Sequence, residues 1–291
     1  MTDVAKTVGE ALASATDRLR LAGSDTPRLD AEVLLGHVTG HDRTWLLAHP
    51  EAPLSATDAF GAAIDRRATG EPVAYIRGFK EWRSLRIRTD TRALIPRPET
   101  ELVVEAAAAA IRARGERAIV WDVATGSGAI ALALALDFRD ALTDGRVTLI
   151  ASDVSPVALE LAAENLEAHG VADAVELVEA DLLAPAGERL PRPDVVTANL
   201  PYVSSAEVGE RRGSLGFEPR IALDGGPDGL DLLRRFLADV PMHAAPAATV
   251  VLELGVDQVA AITQLAPVGA SVSVVRDLAG LDRVVRIELP A

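Results

Sequence analysis

The first ~70 residues carry apolar side chains at helical spacing. Val4, Val8, Leu12, Ala15 and Leu19 recur every three or four positions and predict a first helix. Thr26-Pro27 reads as an N-cap with proline at the first helical position, opening a helix through Ala31, Val33, Leu34, Leu35 and Val38. Another starts after Ser55, carries Phe60, Ala63, Ile64 and Arg67, and closes at Gly70-Glu71-Pro72. Short helices with short connections predict a small bundle. Further on, Leu85 and Ile87 alternate with Arg86 and Arg88, the period of a half-exposed strand. A hairpin linking two domains is the plain reading of residues 74–95. An alanine-rich helix then runs from Leu102 to about Ala113.

From residue 117 onward, short apolar runs alternate with helical segments. Strands are predicted at 119–122, 147–152, 175–178, 195–198, 249–253, 272–275 and 284–288, and helices near 129–137, 156–169 and 228–239. Continuous apolar strands alternating with helices predict a parallel, doubly wound α/β sheet. The connector from Arg276 to Asp282 is short for a parallel crossover, so the final two strands are expected to pair as an antiparallel hairpin.

Composition narrows the classes of function. No run of about 18 apolar residues offers a membrane span, and no signal peptide is visible, so a cytoplasmic protein is expected. Zero cysteines exclude disulfides, thiolate metal sites and cysteine nucleophiles. A net charge of −14 argues against a broad nucleic-acid surface. Among five histidines only His37 and His41 have helical i,i+4 spacing, and Gly40 interrupts them, so no metal site is expected.

Candidate chemistry gathers at the ends of the predicted strands. The turn Asp122-Val123-Ala124-Thr125-Gly126-Ser127-Gly128 leads from strand into helix, where glycines and helix N–H groups can approach a ligand. Read literally, it also satisfies the dinucleotide fingerprint. Asp153 ends the second of these strands, where an acid can accept from both hydroxyls of a ribose or cap a helix; Ser155 before Pro156 already suits the cap. Asp181 follows the third and is placed to meet an adenine amino group or to cap a turn.

The fourth strand delivers Asn199-Leu200-Pro201-Tyr202 in a chain with only two asparagines and two tyrosines. A chance Asn-x-Pro-Tyr is expected on the order of one time in a thousand here, although Asn and Pro also suit a strand-ending turn. An amide nitrogen is a poor nucleophile, so methylating it requires holding it still and accepting hydrogen bonds from its N–H groups. Asn199 offers a side-chain oxygen and residue 200 a backbone carbonyl; Pro201 stiffens the backbone and Tyr202 offers a planar face. Such catalysis is orientation plus placed dipoles.

With these residues assembled, the chain resembles the PrmC/HemK family of release-factor glutamine N5-methyltransferases over nearly its whole length. The strings that carry the resemblance are Thr26-Pro27-Arg28-Leu29-Asp30-Ala31-Glu32, Gly70-Glu71-Pro72-Val73-Ala74-Tyr75 and Phe217-Glu218-Pro219-Arg220. Most specific is Leu94-Ile95-Pro96-Arg97-Pro98-Glu99-Thr100-Glu101. The resemblance implies a helical substrate-docking domain over 1–73, a β-hairpin linker over 74–95, and a seven-stranded Rossmann-like (class I) methyltransferase domain over 96–291. It implies S-adenosylmethionine contacts at Ala124, Thr125, Gly126, Ser127, Gly128, Asp153, Leu182 and Asn199. The glutamine of the Gly-Gly-Gln loop of a class-I peptide chain release factor would lie on Asn199, Leu200, Pro201 and Tyr202, with the segment 213–220 at the same mouth. A monomer is expected, with no direct nucleic-acid partner.

Two positions depart from the family pattern: Ala124 stands where glycine is usual, and Leu200 replaces the first proline of Asn-Pro-Pro-Tyr. They leave open a same-fold methyltransferase for another amide or amino nitrogen, or a non-catalytic cofactor-binding relative.

Overall fold

A computed structural model describes residues 7–115, 117–184, 189–210, 213–255 and 257–291. The chain divides into two compact units. One comprises the described residues through Phe79 together with 213–218; the other comprises those from Lys80 to Glu210 and from Pro219 onward.

The first unit contains α1 (Val8–Leu21), α2 (Pro27–Thr39), α3 (Arg43–Ala48), α4 (Thr57–Ala68) and α5 (Val73–Arg77). Their apolar faces bury Leu12, Leu19, Leu34, Leu35, Leu46, Phe60 and Ile64 in one cluster. Thr7 begins α1 with a capping box to Glu10. Thr26 occupies the expected N-cap of α2, but its hydroxyl makes no capping bond. It donates instead to the Asp30 carboxylate at 2.9 Å, which also takes Ser24 Oγ and Arg67 Nε, both at 2.7 Å. A charged acceptor outcompetes a backbone N–H for the same side chain. The segment 213–218 joins this unit through Ser214, 3.4 Å from Arg67 Nη1, and through Gly213. Gly70 at φ +98° faces Gly213 so closely that a Cβ would meet its Cα at 3.0 Å. Only glycine suits that contact.

Next come β1 (Phe79–Trp82) and β2 (Leu85–Arg88), a two-stranded sheet whose turn places Arg83 and Ser84 at positive φ. Ile87 is buried while Arg86 and Arg88 are exposed, as the alternation predicts. The helix α5 overlaps the start of the span 74–95 expected to be linker, and begins one residue before it.

The second unit continues with α6 (Thr100–Arg114), β3 (Ala118–Val123), α7 (Ala129–Asp137), α8 (Arg139–Thr143), β4 (Val147–Asp153), α9 (Pro156–Ala168), β5 (Val175–Glu179) and β6 (Val195–Ala198). It ends with α10 (Ser205–Glu210), α11 (Asp231–His243), β7 (Thr249–Glu253), α12 (Val259–Leu265), β8 (Ser271–Arg276) and β9 (Asp282–Glu288). Among the described residues the sheet is seven-stranded, ordered β5-β4-β3-β6-β7-β9-β8. Neighbours from β5 through β7 are parallel, while β9 runs antiparallel to both β7 and β8. The expected terminal hairpin is therefore present, inserted with β9 innermost.

Side-chain alternation splits the core between the two sheet faces. Val120, Leu149, Val195 and Val251 pack with Val104 and Ile111 of α6 and Leu132 of α7. Trp121, Ile150, Val196 and Val250 pack with Leu233 and Phe236 of α11. Because both faces are covered, the central strands are mainly apolar, with polar residues concentrated toward their ends. Chain order reverses beside β3, whose neighbours are β4 and β6. Crevices outside such a switch point are where open α/β sheets bind ligands.

Candidate active site

The carboxyl ends of β3, β4, β6 and β7 deliver Asp122, Asp153, Asn199 and Glu253 to one edge of the sheet. Asp122 is fully buried and accepts from Thr125 Oγ1 at 2.6 Å and Thr197 Oγ1 at 2.7 Å. Burial pushes its carboxyl up to about 6 against those bonds. The aspartate thus ties the turn after β3 to β6, a supporting role behind the cavity.

That turn is tightly specified. Thr125 N–H donates to the Ser152 carbonyl at 2.9 Å. Gly128 starts α7 at φ +77°, and a Cβ there would meet Ala162 of α9 at 3.0 Å. Its glycine serves helix packing and does not line the cavity. Asn165 clasps the neighbouring backbone, donating to the Ser127 carbonyl at 2.8 Å and accepting from Arg88 N–H at 2.7 Å. Ala124 takes φ +54° and Leu182 takes φ +55°, both in the left-handed region. For residues with a Cβ that conformation costs about 1–2 kcal/mol.

Asp153 is 9% exposed. Its Oδ2 accepts from Gly126 N–H and its Oδ1 from Ser155 N–H, each at 2.9 Å. Burial raises its pKa, opposed by these backbone bonds. A carboxylate has about four lone-pair sites, more than the backbone bonds from Ser155, Gly126 and Val154 fill, so capacity remains for a ligand hydroxyl. Ser155 caps α9 through Ala158 N–H, as expected from Ser155-Pro156. Asp181 is exposed and ion-paired with Arg235 at 2.7 Å.

Asn199 directly follows β6. Its Nδ2 donates to Thr100 Oγ1 at 3.5 Å, and Thr100 Oγ1 donates to Glu253 Oε2 at 2.5 Å. The Tyr202 hydroxyl lies 3.4 Å from Glu253 Oε1. Glu253 is 2% exposed. Burial raises its pKa, while bonds from Thr100, Asn199 and Tyr202 act in the opposite direction. Burial and the Glu253 charge push the Tyr202 phenol up to about 12, so it remains a neutral donor. Leu200 is 2% exposed and buries its side chain in the core with Val123, Leu182 and Leu183. Among the described residues no donor is bonded to its carbonyl.

Glycines hold this segment from behind. A Cβ on Gly225 would lie 2.6 Å from the Pro201 carbonyl, and one on Gly229 would lie 2.2 Å from that of Tyr202. Gln258 donates to the Tyr202 carbonyl at 3.1 Å and accepts from Gly255 N–H at 2.9 Å. Neither Glu253 nor Gln258 was named from the sequence as a site residue, and Thr100 was given no role although it lies in the most family-specific string, 94–101. For Glu253 the signal was its position at the end of a central strand.

Together these elements enclose a cavity of about 310 Å³. Ala124, Thr125, Gly126, Ser127, Asp153, Leu182, Asn199, Leu200 and Pro201 line it, while Gly128 and Tyr202 stand outside its lining. Ile221 and Ala222 line it too; of the segment 213–220, expected at the same mouth, 213–218 belongs to the first unit and 219–220 to the second. The mainly apolar wall with a few converging acceptors suits a partly hydrophobic ligand bearing hydroxyl and amino groups.

Residues 10–78 match the PrmC N-terminal domain family. The chain is 42% identical to the release factor glutamine methyltransferase of Moorella thermoacetica, over 95% of this chain and 96% of that one. It is 40% identical to the enzyme of the same name from Xylella fastidiosa strain Temecula1, over 94% of each chain. Among solved structures, the hMettl16 catalytic domain shares the fold, with a TM-score of 0.54 at 14% identity over 79% of this chain and 83% of that chain. With identity of this extent across both units, the chain belongs to the release factor glutamine methyltransferase family.

Proposed function

We infer that the protein methylates the side-chain amide nitrogen of the glutamine in the Gly-Gly-Gln loop of class-I peptide chain release factors, using S-adenosylmethionine. The observation that carries this reading is the acceptor pair at the end of β6. Asn199 and Leu200 open into the same cavity as the turn after β3 and Asp153. S-adenosylmethionine fits the residues present. Asp153 would take the ribose hydroxyls, the turn from Ala124 to Ser127 would receive the amino-acid end, and Leu182 would lie against the base.

Bound there, it supplies an electrophilic methyl on a sulfonium. The chain's own residues supply orientation. Asn199 Oδ1 and the Leu200 carbonyl would accept from the two N–H groups of the substrate amide, holding its nitrogen still. As the N–C bond formed, the S–C bond of the donor would break with its electron pair leaving on sulfur as a neutral thioether, and the positive charge gained by the nitrogen would be lost as one proton released to solvent. Two fixed acceptors stabilise that charge without reorganising. Tyr202 would flank the planar amide. The first unit is assigned to docking of the release factor, the second to the chemistry, and the enzyme to the cytoplasm as a monomer without a nucleic-acid partner. No helix among the described residues is long and apolar enough to cross a membrane.

The test incubates the full chain with unmodified release factor and S-adenosylmethionine, then locates added methyl by peptide mass spectrometry. A gain of one methyl on the Gly-Gly-Gln glutamine is expected. Cofactor binding with no gain there, or a gain on another amide, would overturn the assignment.

A further inference from the structure

The side-chain amide of Asn199 is ambidentate: Oδ1 accepts hydrogen bonds and Nδ2 donates them. The proposed reaction needs the oxygen toward the cavity, because a flipped amide would present donors to a substrate that also presents donors. Something must choose between the two orientations. The choice is not made by Asn199 itself, whose two faces are nearly isosteric.

Glu253 makes it. A carboxylate only accepts, so the Thr100 hydroxyl, 2.5 Å from Oε2, has its one hydrogen committed to Glu253. What Thr100 then turns toward Asn199 is lone pairs, and only a donor can meet them. Nδ2 lies there at 3.5 Å, which leaves Oδ1 as the remaining face of the amide. The second carboxylate oxygen takes the Tyr202 hydroxyl at 3.4 Å. One buried acid at the end of β7 thereby sets the polarity of two residues that follow β6. Neither Thr100 nor Glu253 is near them in sequence.

We propose that Glu253 is a positioning residue: by itself and through Thr100 it draws Nδ2 of the Asn199 amide, leaving Oδ1 toward the substrate, and through the Tyr202 hydroxyl it holds the ring beside it. The proposal rests on the methyl-transfer reading for its catalytic consequence, but its structural core can be tested without turnover. Glu253→Gln keeps the shape and adds a donor. Gln Nε2 can then donate to Thr100, whose hydrogen is released toward Asn199, and the amide turns over. Thr100→Val removes the Thr100 arm of this arrangement.

The chain has only two asparagines, Asn165 and Asn199, so selective [15N]asparagine labelling of the full chain gives two side-chain amide pairs, with Asn165 as internal reference. In both Glu253→Gln and Thr100→Val, the Asn199 pair should shift while that of Asn165 stays in place. In transfer assays kcat should fall on the order of 10- to 100-fold. KM for release factor and Kd for S-adenosylmethionine should change less than about threefold, the pattern of an interaction made in the transition state. The double variant should be little worse than either single one, because both disturb the same arrangement. An unmoved Asn199 pair in both variants would overturn the proposal, as would a moved pair with unchanged kcat. If Glu253→Gln no longer binds the cofactor, Thr100→Val carries the test alone. Absence of transfer by the unmodified protein would count against the proposed function, leaving the amide spectrum to decide the relay.

Discussion

The backbone N–H of Gly126 donates to Asp153 Oδ2 at 2.9 Å, so the turn after β3 and the acid ending β4 are one hydrogen-bonded unit. Asp153 therefore has two duties in the proposed site: it shapes the turn and offers its remaining lone pairs to a ribose. Asp153→Ala removes both. Calorimetry should show affinity for S-adenosylmethionine falling at least about tenfold, equivalent to ~1.4 kcal/mol. An unchanged dissociation constant would remove Asp153 from the ribose site.

Asn199→Ala separates the acceptor from the cofactor. The side chain is assigned to the substrate amide, while the Leu200 carbonyl and the turn after β3 remain in place. Transfer to release factor should fall by at least about a hundredfold, as for loss of a placed dipole in an active site. Cofactor affinity should stay within about threefold of the unmodified protein. Near-normal turnover would mean that the acceptor lies elsewhere.

Ala124 holds φ +54°, a conformation that glycine adopts without penalty. Ala124→Gly relieves about 1–2 kcal/mol of backbone strain and gives back ~0.4–1 kcal/mol through the more flexible unfolded chain. The net expectation is a rise in melting temperature of a few degrees at most. The added room beside the cavity should leave cofactor affinity equal or higher. A lowered melting temperature would show that the Ala124 methyl contributes packing that outweighs its strain.

Asp122 makes stability depend on pH. Its carboxyl ordinarily titrates near 3.8, and burial pushes it up to about 6 in the folded protein. Between these values the folded state holds a proton that the unfolded chain has released. This contribution to stability is therefore full below about pH 4 and is lost as pH rises through about 6. Asp122→Asn abolishes that titration. Denaturant unfolding across pH 4 to 7 should show the unmodified protein losing stability relative to the variant up to about pH 6, then running parallel to it. Asp153 and Glu253, both raised by burial, remain in the two proteins and largely cancel. A pH-independent difference would contradict the shift.

The sheet was legible because β3, β4, β6 and β7 are buried on both faces and read as mainly apolar runs, while β5, β8 and β9 carry valines, leucine and isoleucine among polar residues. Each predicted strand lies within or coincides with an observed one, including 195–198 and 249–253 at their observed limits. Short helices such as α3, α5, α10 and α12 escaped notice, since one or two turns leave too few residues to establish a period. The Thr26 cap shows the limit of local rules. Its residue types were right, yet a buried carboxylate one turn away, paired with Arg67 from α4, claimed the hydroxyl.

Asn199, Asp153 and the turn after β3 could be picked out along the chain because strand ends announce themselves as apolar runs giving way to polar residues and glycines. Their backbone setting is local, and local chemistry is written in adjacent positions. The support behind them is not. Thr100 and Glu253 are 153 positions apart, and Gln258 reaches back 56 positions to Tyr202. Thr100 lies in the family-specific string 94–101, but nothing there points to Glu253, and the neighbourhoods of Glu253 and Gln258 read as an ordinary strand end and loop. A hydrogen bond between distant residues exists only once the sheet order β3-β6-β7 brings three carboxyl ends side by side. Residue types that can hold a substrate amide could be read from the sequence; the proposed orientation of Asn199 depends on a buried acid at the end of the neighbouring strand, β7.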